Sequence, residues 1–405
     1  MEYSTPSGRE DKAASAAEIP NPRPQIPSNF QQDETAEEIS EKQYSNTPSL
    51  HYSSPLVIFG RRLLKSAIRN PKSTMRYLLF ALVVALISPL TARADFPLTP
   101  NTTLHFASAA EARKILVTND DFVQRLSEFD RSARLKTDRS IKVDEFLAFV
   151  GKNTLDWNEP EQQKIQEAIR PLQAALADLH FSLPATVNLI RTTGAEEGNA
   201  AYTRGVSIVL PKSELEKDQK ALTKLICHEL FHVWSRQNPT LRDKLYEIIG
   251  FHRCEEVKLP PTLASRQITN PDAPRNDHFI RVKVEGRDCM AVPILISNEE
   301  KYNLQKGGEF FDYLSFELLL VKKDGLILNG SAPILVPPQS TPDFLQQIGK
   351  NTEYIIHPEE ILADNFALLV LGEQDVPSPE ILQKMKGILS NAALKTPKSQ
   401  VPNPK

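Results

Sequence analysis

The chain has 405 residues, of which 40% are hydrophobic and 24% are charged, and its formal net charge at pH 7 is −3. A chain of this length and composition can form two or three domains with a substantial hydrophobic core. The balanced charge, with no basic stripe of interleaved aromatic residues, argues against nucleic acid as a partner.

The first 56 residues are rich in Pro, Ser, Gln, Asn and Glu. Such a composition buries too little apolar surface to offset the loss of chain entropy on folding. We therefore predict a disordered N-terminal extension, which we take to reach residue 74.

A basic segment, an apolar run and small residues together predict a secretory signal peptide at about residues 75–94. The apolar run covers residues 77–90, whereas a membrane span needs about 20 apolar residues. Ala92 and Ala94 suit cleavage before Asp95. The preceding basic residues are Arg61, Arg62, Lys65, Arg69, Lys72 and Arg76.

Met75 opens this signal, which suggests that translation starts there and that residues 1–74 are not translated. The alternative is a membrane-anchored protein with a long cytoplasmic tail. Both interpretations export the residues that follow. After signal cleavage we expect a periplasmic or secreted protein with no stable membrane insertion.

Residues 95–182 are predicted to form a helical N-terminal region. Ala-rich and charged stretches begin near Ser108, and a longer helix is expected from Pro160 to Leu179 because apolar residues recur at helical spacing. These apolar residues are Ile165, Ile169, Leu172, Ala175 and Leu176.

Residues 183–252 are predicted to contain strands and a central helix. The segment 200–211 contains Val and Ile and ends at Pro211, which predicts one β-strand. An apolar stripe at helical spacing then predicts a helix that ends near Gln237, because Pro239 follows Asn238. The stripe consists of Leu222, Leu225, Ile226, Leu230, Val233 and Trp234.

This helix contains His228, Glu229 and His232 in the pattern His-Glu-x-x-His. Histidines four residues apart lie on one helical face, so both imidazoles can bind one zinc ion. The glutamate stands beside that pair, where it can take a proton from water without being a ligand. The alternative is a core helix with two hydrogen-bonded histidines.

Residues 253–340 are predicted to be a β-rich insertion, because short strand-like runs alternate with Asn, Asp, Gly and Pro clusters. As an insertion on a scaffold, it is a candidate for substrate recognition. Cys254 and Cys289 could form a disulfide in an oxidising compartment. Cys227, next to His228, is predicted to be a buried apolar residue rather than a ligand.

Residues 341–395 are predicted to be helical, and residues 396–405 to be a frayed tail. One helix is expected to begin near Pro358 and to place Glu360 and Asp364 on one face. Glu360 is the predicted third zinc ligand, and Asp364 is predicted to accept a hydrogen bond from a ligand imidazole. Glu359 lacks such a carboxylate partner one turn on, and we interpret it as a solvated first-turn acid.

The combination of His228-Glu229-x-x-His232 and Glu360-x-x-x-Asp364 resembles the gluzincins, the thermolysin-like zinc metallopeptidases. The metzincins are disfavoured, because Ser235 and Asn238 stand where that family has a glycine and a third histidine. The resemblance implies an α+β fold with a zincin-like catalytic core, one zinc ion and a peptide or protein substrate. It also implies that the strand at 200–211 is a sheet edge for extended peptides, the alternative being an ordinary structural strand.

In the mechanism implied, His228, His232 and Glu360 hold the zinc ion and Glu229 is the general base. A further donor should stabilise the oxyanion. The candidate donors are Tyr246, His252, Tyr302, Tyr354 and His357. For His357, a role in starting the helix is the alternative.

Two other classes of function stay open. A non-catalytic zinc-binding protein, or an inactive relative of the peptidases, could close the site with a fourth side chain, and Glu229 would then be dispensable. A metal-dependent hydrolase could also use the same chemistry on a substrate other than a peptide.

Overall fold

The computed structural model describes residues 95–179, 182–323 and 325–392. The predicted disordered extension at 1–74, the signal peptide at 75–94 and the tail at 396–405 lie outside these residues. The fold is mixed α and β, with several sheets. Among the helices of the described residues, none is sufficiently long and apolar to cross a membrane.

The α-helices are α1 Ala109–Leu116, α2 Asp121–Arg125, α3 Glu128–Arg134, α4 Val143–Lys152, α5 Glu159–Asp178, α6 Gln219–Gln237, α7 Pro239–Ile248, α8 Pro261–Ala264, α9 Pro342–Ile348, α10 Pro358–Leu371 and α11 Pro379–Ala392. The strands are β1 Phe96–Thr99, β2 Thr102–Phe106, β3 Thr154–Leu155, β4 Thr186–Thr192, β5 Tyr202–Arg204, β6 Ser207–Pro211, β7 Phe251–Arg253, β8 His278–Val284, β9 Arg287–Ser297, β10 Leu314–Lys322, β11 Gly325–Leu326, β12 Leu328–Asn329, β13 Ala332–Pro333 and β14 Leu335–Val336.

The first sheet has the strand order β1-β2-β4-β6-β5, with β3 paired to β4. Strands β2, β4 and β6 run parallel, and the other pairs are antiparallel. The region predicted to be helical therefore begins with two strands, and its first helix starts at Ala109. Thr102, Leu104 and Phe106 are buried at alternate positions, the period of a strand with one buried face.

The segment 200–211 forms two strands rather than the single strand predicted. β5 and β6 pair as an antiparallel hairpin that turns at Gly205, where φ is +61°. A positive φ is easily adopted by glycine and rarely by other residues, and this is why the chain reverses there. β5 is the edge strand of the sheet.

The second sheet has the order β11-β10-β9-β8-β7, with β14 paired to β10 and every pair antiparallel. It lies mostly within the predicted β-rich insertion, although β7 begins two residues before that segment. Its buried residues Ile280, Val282 and Leu318 belong to the same hydrophobic cluster as helix α6. Cys254 and Cys289 are free thiols, so the disulfide considered from the sequence is not formed.

Helices α6 and α10 pack against each other inside this cluster. Helix α6 is buried on most of its surface, including Leu230 and Phe231, and α10 has buried side chains from Pro358 to Ala363 without interruption. Because the facing sides of both helices are packed among apolar groups, the polar side chains that lie between them are held in fixed positions.

Candidate metal centre

Helix α6 presents the His-Glu-x-x-His motif. The Asp218 side chain accepts a hydrogen bond from the N–H of Ala221 and caps the start of the helix. The helix ends at Gln237, where the prediction placed its end. The motif lies in the middle of this regular helix, and Glu229 and His232 are only 2% and 1% exposed.

The structure brings the three predicted zinc ligands together. Glu360 Oε2 lies 3.1 Å from His228 Nε2 and 3.5 Å from His232 Nε2. One ligand atom from each of the three residues lies within 4.8 Å of the other two. Two imidazole nitrogens and one carboxylate oxygen make up a donor set that catalytic zinc sites use.

Asp364 makes the contact predicted for it. Its Oδ1 lies 3.0 Å from His228 Nδ1, and the hydroxyl of Thr352 donates to its other oxygen. With Nδ1 donating its proton to Asp364, Nε2 of His228 is the nitrogen free to bind a metal.

The interpretation of Glu359 as a solvated acid is wrong. Glu359 is 2% exposed, and its Oε1 lies 3.0 Å from His232 Nδ1. The hydroxyls of Ser235 and Tyr246 also donate to its carboxylate. Glu359 therefore orients His232 as Asp364 orients His228.

The physical reason for this error is the packing of α10. Consecutive residues on a helix point about 100° apart, so Glu359 and Glu360 can both face α6 only if a wide sector of α10 is buried. The apolar residues Ile361 and Leu362, which follow directly, are completely buried. That nearly continuous apolar run was the available signal that α10 has little solvated surface near its start.

The surroundings of the motif shift its pKa values strongly. Burial opposes the charged form of His228, but hydrogen bonds to Asp364 and Glu360 outweigh it and raise the pKa to about 10. Burial and the negative charge of Asp272 raise the pKa of Glu229 to about 8. In both cases, excess negative charge in a buried site favours retention of protons.

Two buried atoms of the motif have no hydrogen-bond partner: His232 Nε2 and Glu229 Oε2. Unpartnered polar atoms in a protein interior are costly and call for a specific explanation. Nδ1 of His232 is already occupied by Glu359, so Nε2 is its one nitrogen available for a metal. The site residues thus fit a single dication held by His228, His232 and Glu360.

Two further residues of the site, Asn270 and Asp272, were not predicted. Asn270 Nδ2 donates to Glu360 Oε1 at 2.6 Å. Asp272 places a carboxylate oxygen within 4.8 Å of ligand atoms of Glu229 and His232. Both residues precede β8 within the segment predicted to be an insertion. Their local sequence, Asn-Pro-Asp, indicates a turn and nothing about a metal site.

Of the five predicted oxyanion donors, three have other roles and a fourth is exposed. Tyr246 donates to the Glu359 carboxylate, and Tyr302 donates to a backbone carbonyl. His252 is exposed on strand β7. His357 caps helix α10, with its Nδ1 accepting a hydrogen bond from the backbone N–H of Glu359, the second residue of the helix, which is the alternative role considered for it.

Tyr354 is the remaining candidate donor. Its ring centroid lies 6.5 Å from that of His228. Burial and the nearby carboxylates of Glu360 and Asp272 raise its pKa well above the usual value of 10. The phenol therefore keeps its proton at neutral pH and can donate a hydrogen bond.

The sheet edge near the motif is partly occupied. The N–H and the hydroxyl of Thr203 on the edge strand β5 both donate to Asp272 Oδ1, at 2.7 and 2.6 Å. Arg236 from α6 donates to the Thr203 hydroxyl as well. An extended peptide adding to β5 could not use the Thr203 N–H unless the contact with Asp272 were broken.

Comparison of this chain with protein families, with curated proteins and with solved structures gave no match.

Proposed function

We propose that this protein is an exported zinc-dependent metallopeptidase with a zincin-like core, which hydrolyses peptide bonds in peptide or protein substrates. The observation that carries the proposal is the convergence of His228, His232 and Glu360 beside a Glu229 oxygen that has no other partner. The resemblance of the two motifs to gluzincins supports a peptide as the substrate, and the signal-like segment at 75–94 supports export.

Each of the three proposed zinc ligands is oriented by a hydrogen bond to a further side chain. Asp364 fixes the tautomer of His228, Glu359 fixes that of His232, and Asn270 holds one oxygen of Glu360. When bound, zinc supplies Lewis acidity that polarises a carbonyl and lowers the pKa of water.

Glu229 is the general base in this proposal. Its pKa of about 8 reflects a buried site with excess negative charge, and a dication next to it would lower that pKa. Glu229 then accepts a proton from water and later delivers it to the leaving amine. A structural zinc site has no use for a buried carboxylate without a partner at this position.

Tyr354 is proposed to donate a hydrogen bond to the oxygen that gains negative charge. Its phenol is protonated at neutral pH, and its ring lies beside His228. A neutral donor in a buried site stabilises a developing oxyanion without requiring reorganisation.

The substitution Glu229→Gln tests the proposal, with the exposed Glu247→Gln on α7 as the matched control. We expect Glu229→Gln to bind one zinc per chain, like the wild type, and to lose about 10² to 10⁴ in kcat on a quenched-fluorescence peptide library. His232→Ala should lose both zinc and activity. The control should retain both.

Three outcomes would contradict the proposal. Equal peptide hydrolysis by wild type and Glu229→Gln would show that Glu229 is not the general base. Zinc binding without hydrolysis of any peptide would favour a binding protein or a hydrolase of another substrate. A folded wild type that takes up no zinc would remove the metal centre itself.

A further inference from the structure

A second cluster of charged side chains lies outside the metal centre. Arg134 on helix α3 donates to both carboxylate oxygens of Glu197, at 2.9 and 2.5 Å, and to Asp130 Oδ1 at 2.5 Å. The side chains of Arg134 and Asp130 are completely buried, and that of Glu197 is 4% exposed. We name these three residues the Arg134 triad. Removing such charges from water offsets much of their attraction, so stability alone is a weak reason for this arrangement.

The Arg134 triad binds the backbone of Thr269 on both sides. The N–H of Thr269 donates to Asp130 Oδ2 at 3.0 Å, and its hydroxyl donates to the same oxygen at 2.8 Å. Arg134 Nη2 donates to the Thr269 carbonyl at 3.3 Å. Because both peptide groups next to Thr269 are held, the direction in which the chain enters residue 270 is fixed.

The orientation of the Asn270 side chain is fixed as well. Its Oδ1 accepts a hydrogen bond from the N–H of Asp272 at 2.9 Å. The other end of the amide must then be the NH₂ group, which donates to Glu360 Oε1 at 2.6 Å. Asp272 is tied to the edge strand through Thr203, so the turn that carries Asn270 is anchored at both ends.

The contact with Asn270 makes the two oxygens of Glu360 inequivalent. Oε1 is occupied by the amide, whereas Oε2 faces His228 Nε2 and His232 Nε2. A carboxylate that is free to rotate can present either oxygen or both to a metal, and holding one oxygen removes that freedom.

We infer that Asn270 is a positioning residue of the metal centre, and that the buried Arg134 triad holds it in place, so that Glu360 presents Oε2 alone to the metal. The inference rests on the metal site of the proposed function, but not on peptide hydrolysis. It assigns a role to helix α3, since the helix supports the metal centre without contributing a ligand.

The direct test is Asn270→Ala in the full-length protein. Its control is Asn153→Ala, which removes another half-buried amide away from the metal centre. That amide donates to the backbone carbonyl of Phe149 and accepts a hydrogen bond from the Thr193 hydroxyl. The zinc dissociation constant is measured by competition with a chelator, and the coordination geometry by the absorption spectrum of the Co²⁺ form. The melting temperature of the metal-free protein reports any general loss of structure.

We expect Asn270→Ala to bind zinc about 10- to 100-fold more weakly and to change the Co²⁺ spectrum. We expect the metal-free melting temperature to change no more than it does for Asn153→Ala. Wild-type zinc affinity and an unchanged spectrum in Asn270→Ala would overturn the inference while leaving the metal centre intact. Failure of the wild type to bind zinc would instead overturn the proposed function.

The role of the triad is tested by Thr269→Val, because Arg134 variants could fail to fold. Valine removes the hydroxyl bond to Asp130 and keeps the backbone N–H, whereas Thr269→Ser keeps both. We expect Thr269→Val to weaken zinc binding by several-fold and Thr269→Ser to match the wild type. Equal zinc affinity of Thr269→Val and the wild type would remove the triad from the inference.

Discussion

The metal centre and the Arg134 triad are both clusters of buried charged side chains, but they use their polar atoms differently. In the triad, one guanidinium is shared by two carboxylates, and none of the three side chains has a buried atom without a partner. In the metal centre, His232 Nε2 and Glu229 Oε2 are both buried without a hydrogen-bond partner, although Glu360 Oε2 lies 3.5 Å from His232 Nε2. The polar atoms of the triad therefore satisfy one another, whereas the metal centre leaves these two buried atoms without a hydrogen bond.

The two clusters also differ in how many negative groups they contain for each cationic or imidazole side chain. The triad combines one positive and two negative groups. Around the two imidazoles of the metal centre stand the carboxylates of Glu229, Asp272, Glu359, Glu360 and Asp364. Buried excess charge is unfavourable unless a counter-ion compensates it. The metal centre therefore holds more buried negative charge than the triad, and under the proposed function a bound cation would compensate it.

The largest effect that this comparison predicts is on folding stability. Arg134→Met would leave Asp130 and Glu197 as buried carboxylates without their cation. We expect it to lower the free energy of unfolding by about 3 to 5 kcal/mol, measured by urea denaturation in the presence of a chelator. The chelator is needed because a bound metal would add its own stabilisation.

Arg139→Met is the matched control, because Arg139 also pairs with a carboxylate, that of Glu145, but its side chain is 58% exposed. Solvent screens such a pair, and we expect no measurable change in the urea midpoint. Equal destabilisation by the two substitutions would show that burial does not distinguish the triad from a surface ion pair.

The residues of the metal centre differ in how far the sequence predicts their contacts. His228 and His232, like Glu360 and Asp364, are four residues apart on one helix, so their spacing alone places them together once the helix forms. Asn270 reaches Glu360 across 90 residues of chain, and no local pattern marks that contact. It depends on how the turn before β8, which α3 holds through Thr269, lies beside α10, and this is a property of the tertiary structure.

The same distinction explains the fold predictions. Helix α6 was predicted with its C-terminal end because an apolar stripe and Pro239 are local signals. Strands β1 and β2 were missed, because each is at most five residues long and the pairing of β2 with β4 involves residues about 80 positions away. The hairpin of β5 and β6 was read as one strand because Gly205 alone marks its turn.

Glu196 and Glu197 are neighbours in the chain, and they allow a paired and an unpaired buried carboxylate to be compared directly. Glu197 is paired with Arg134, whereas Glu196 is buried without a cationic partner, and burial raises its pKa to about 7. The unfolded chain loses this proton near pH 4.5 and the folded chain only near pH 7. The contribution of Glu196 to stability is therefore most favourable below pH 4.5 and is lost progressively as the pH rises to 7.

We accordingly expect Glu196→Gln to change stability little at pH 4 and to raise the free energy of unfolding by about 2 to 3 kcal/mol at pH 8. Urea denaturation of wild type and variant at both pH values gives the difference directly. Glu216→Gln, at an exposed position, should show the same difference from wild type at both. A gain of the same size at pH 4 and pH 8 would mean that Glu196 does not titrate as a buried, unpaired acid.

The smallest effect that this comparison predicts concerns Glu359, whose proposed role is to orient His232 as a metal ligand. In Glu359→Gln the amide oxygen can still accept a hydrogen bond from His232 Nδ1, but the negative charge behind the imidazole is removed. We expect zinc affinity to fall by about 10-fold, the lower end of the range for groups that orient a ligand. The control is Glu380→Gln, because Glu380 is an exposed first-turn acid of α11, the role that Glu359 would have if it were solvated. Equal zinc affinity of the two variants would show that the negative charge of Glu359 beside His232 does not affect metal binding. Of the two imidazole–carboxylate contacts, only that of His228 with Asp364 would then remain as a candidate for strengthening metal binding.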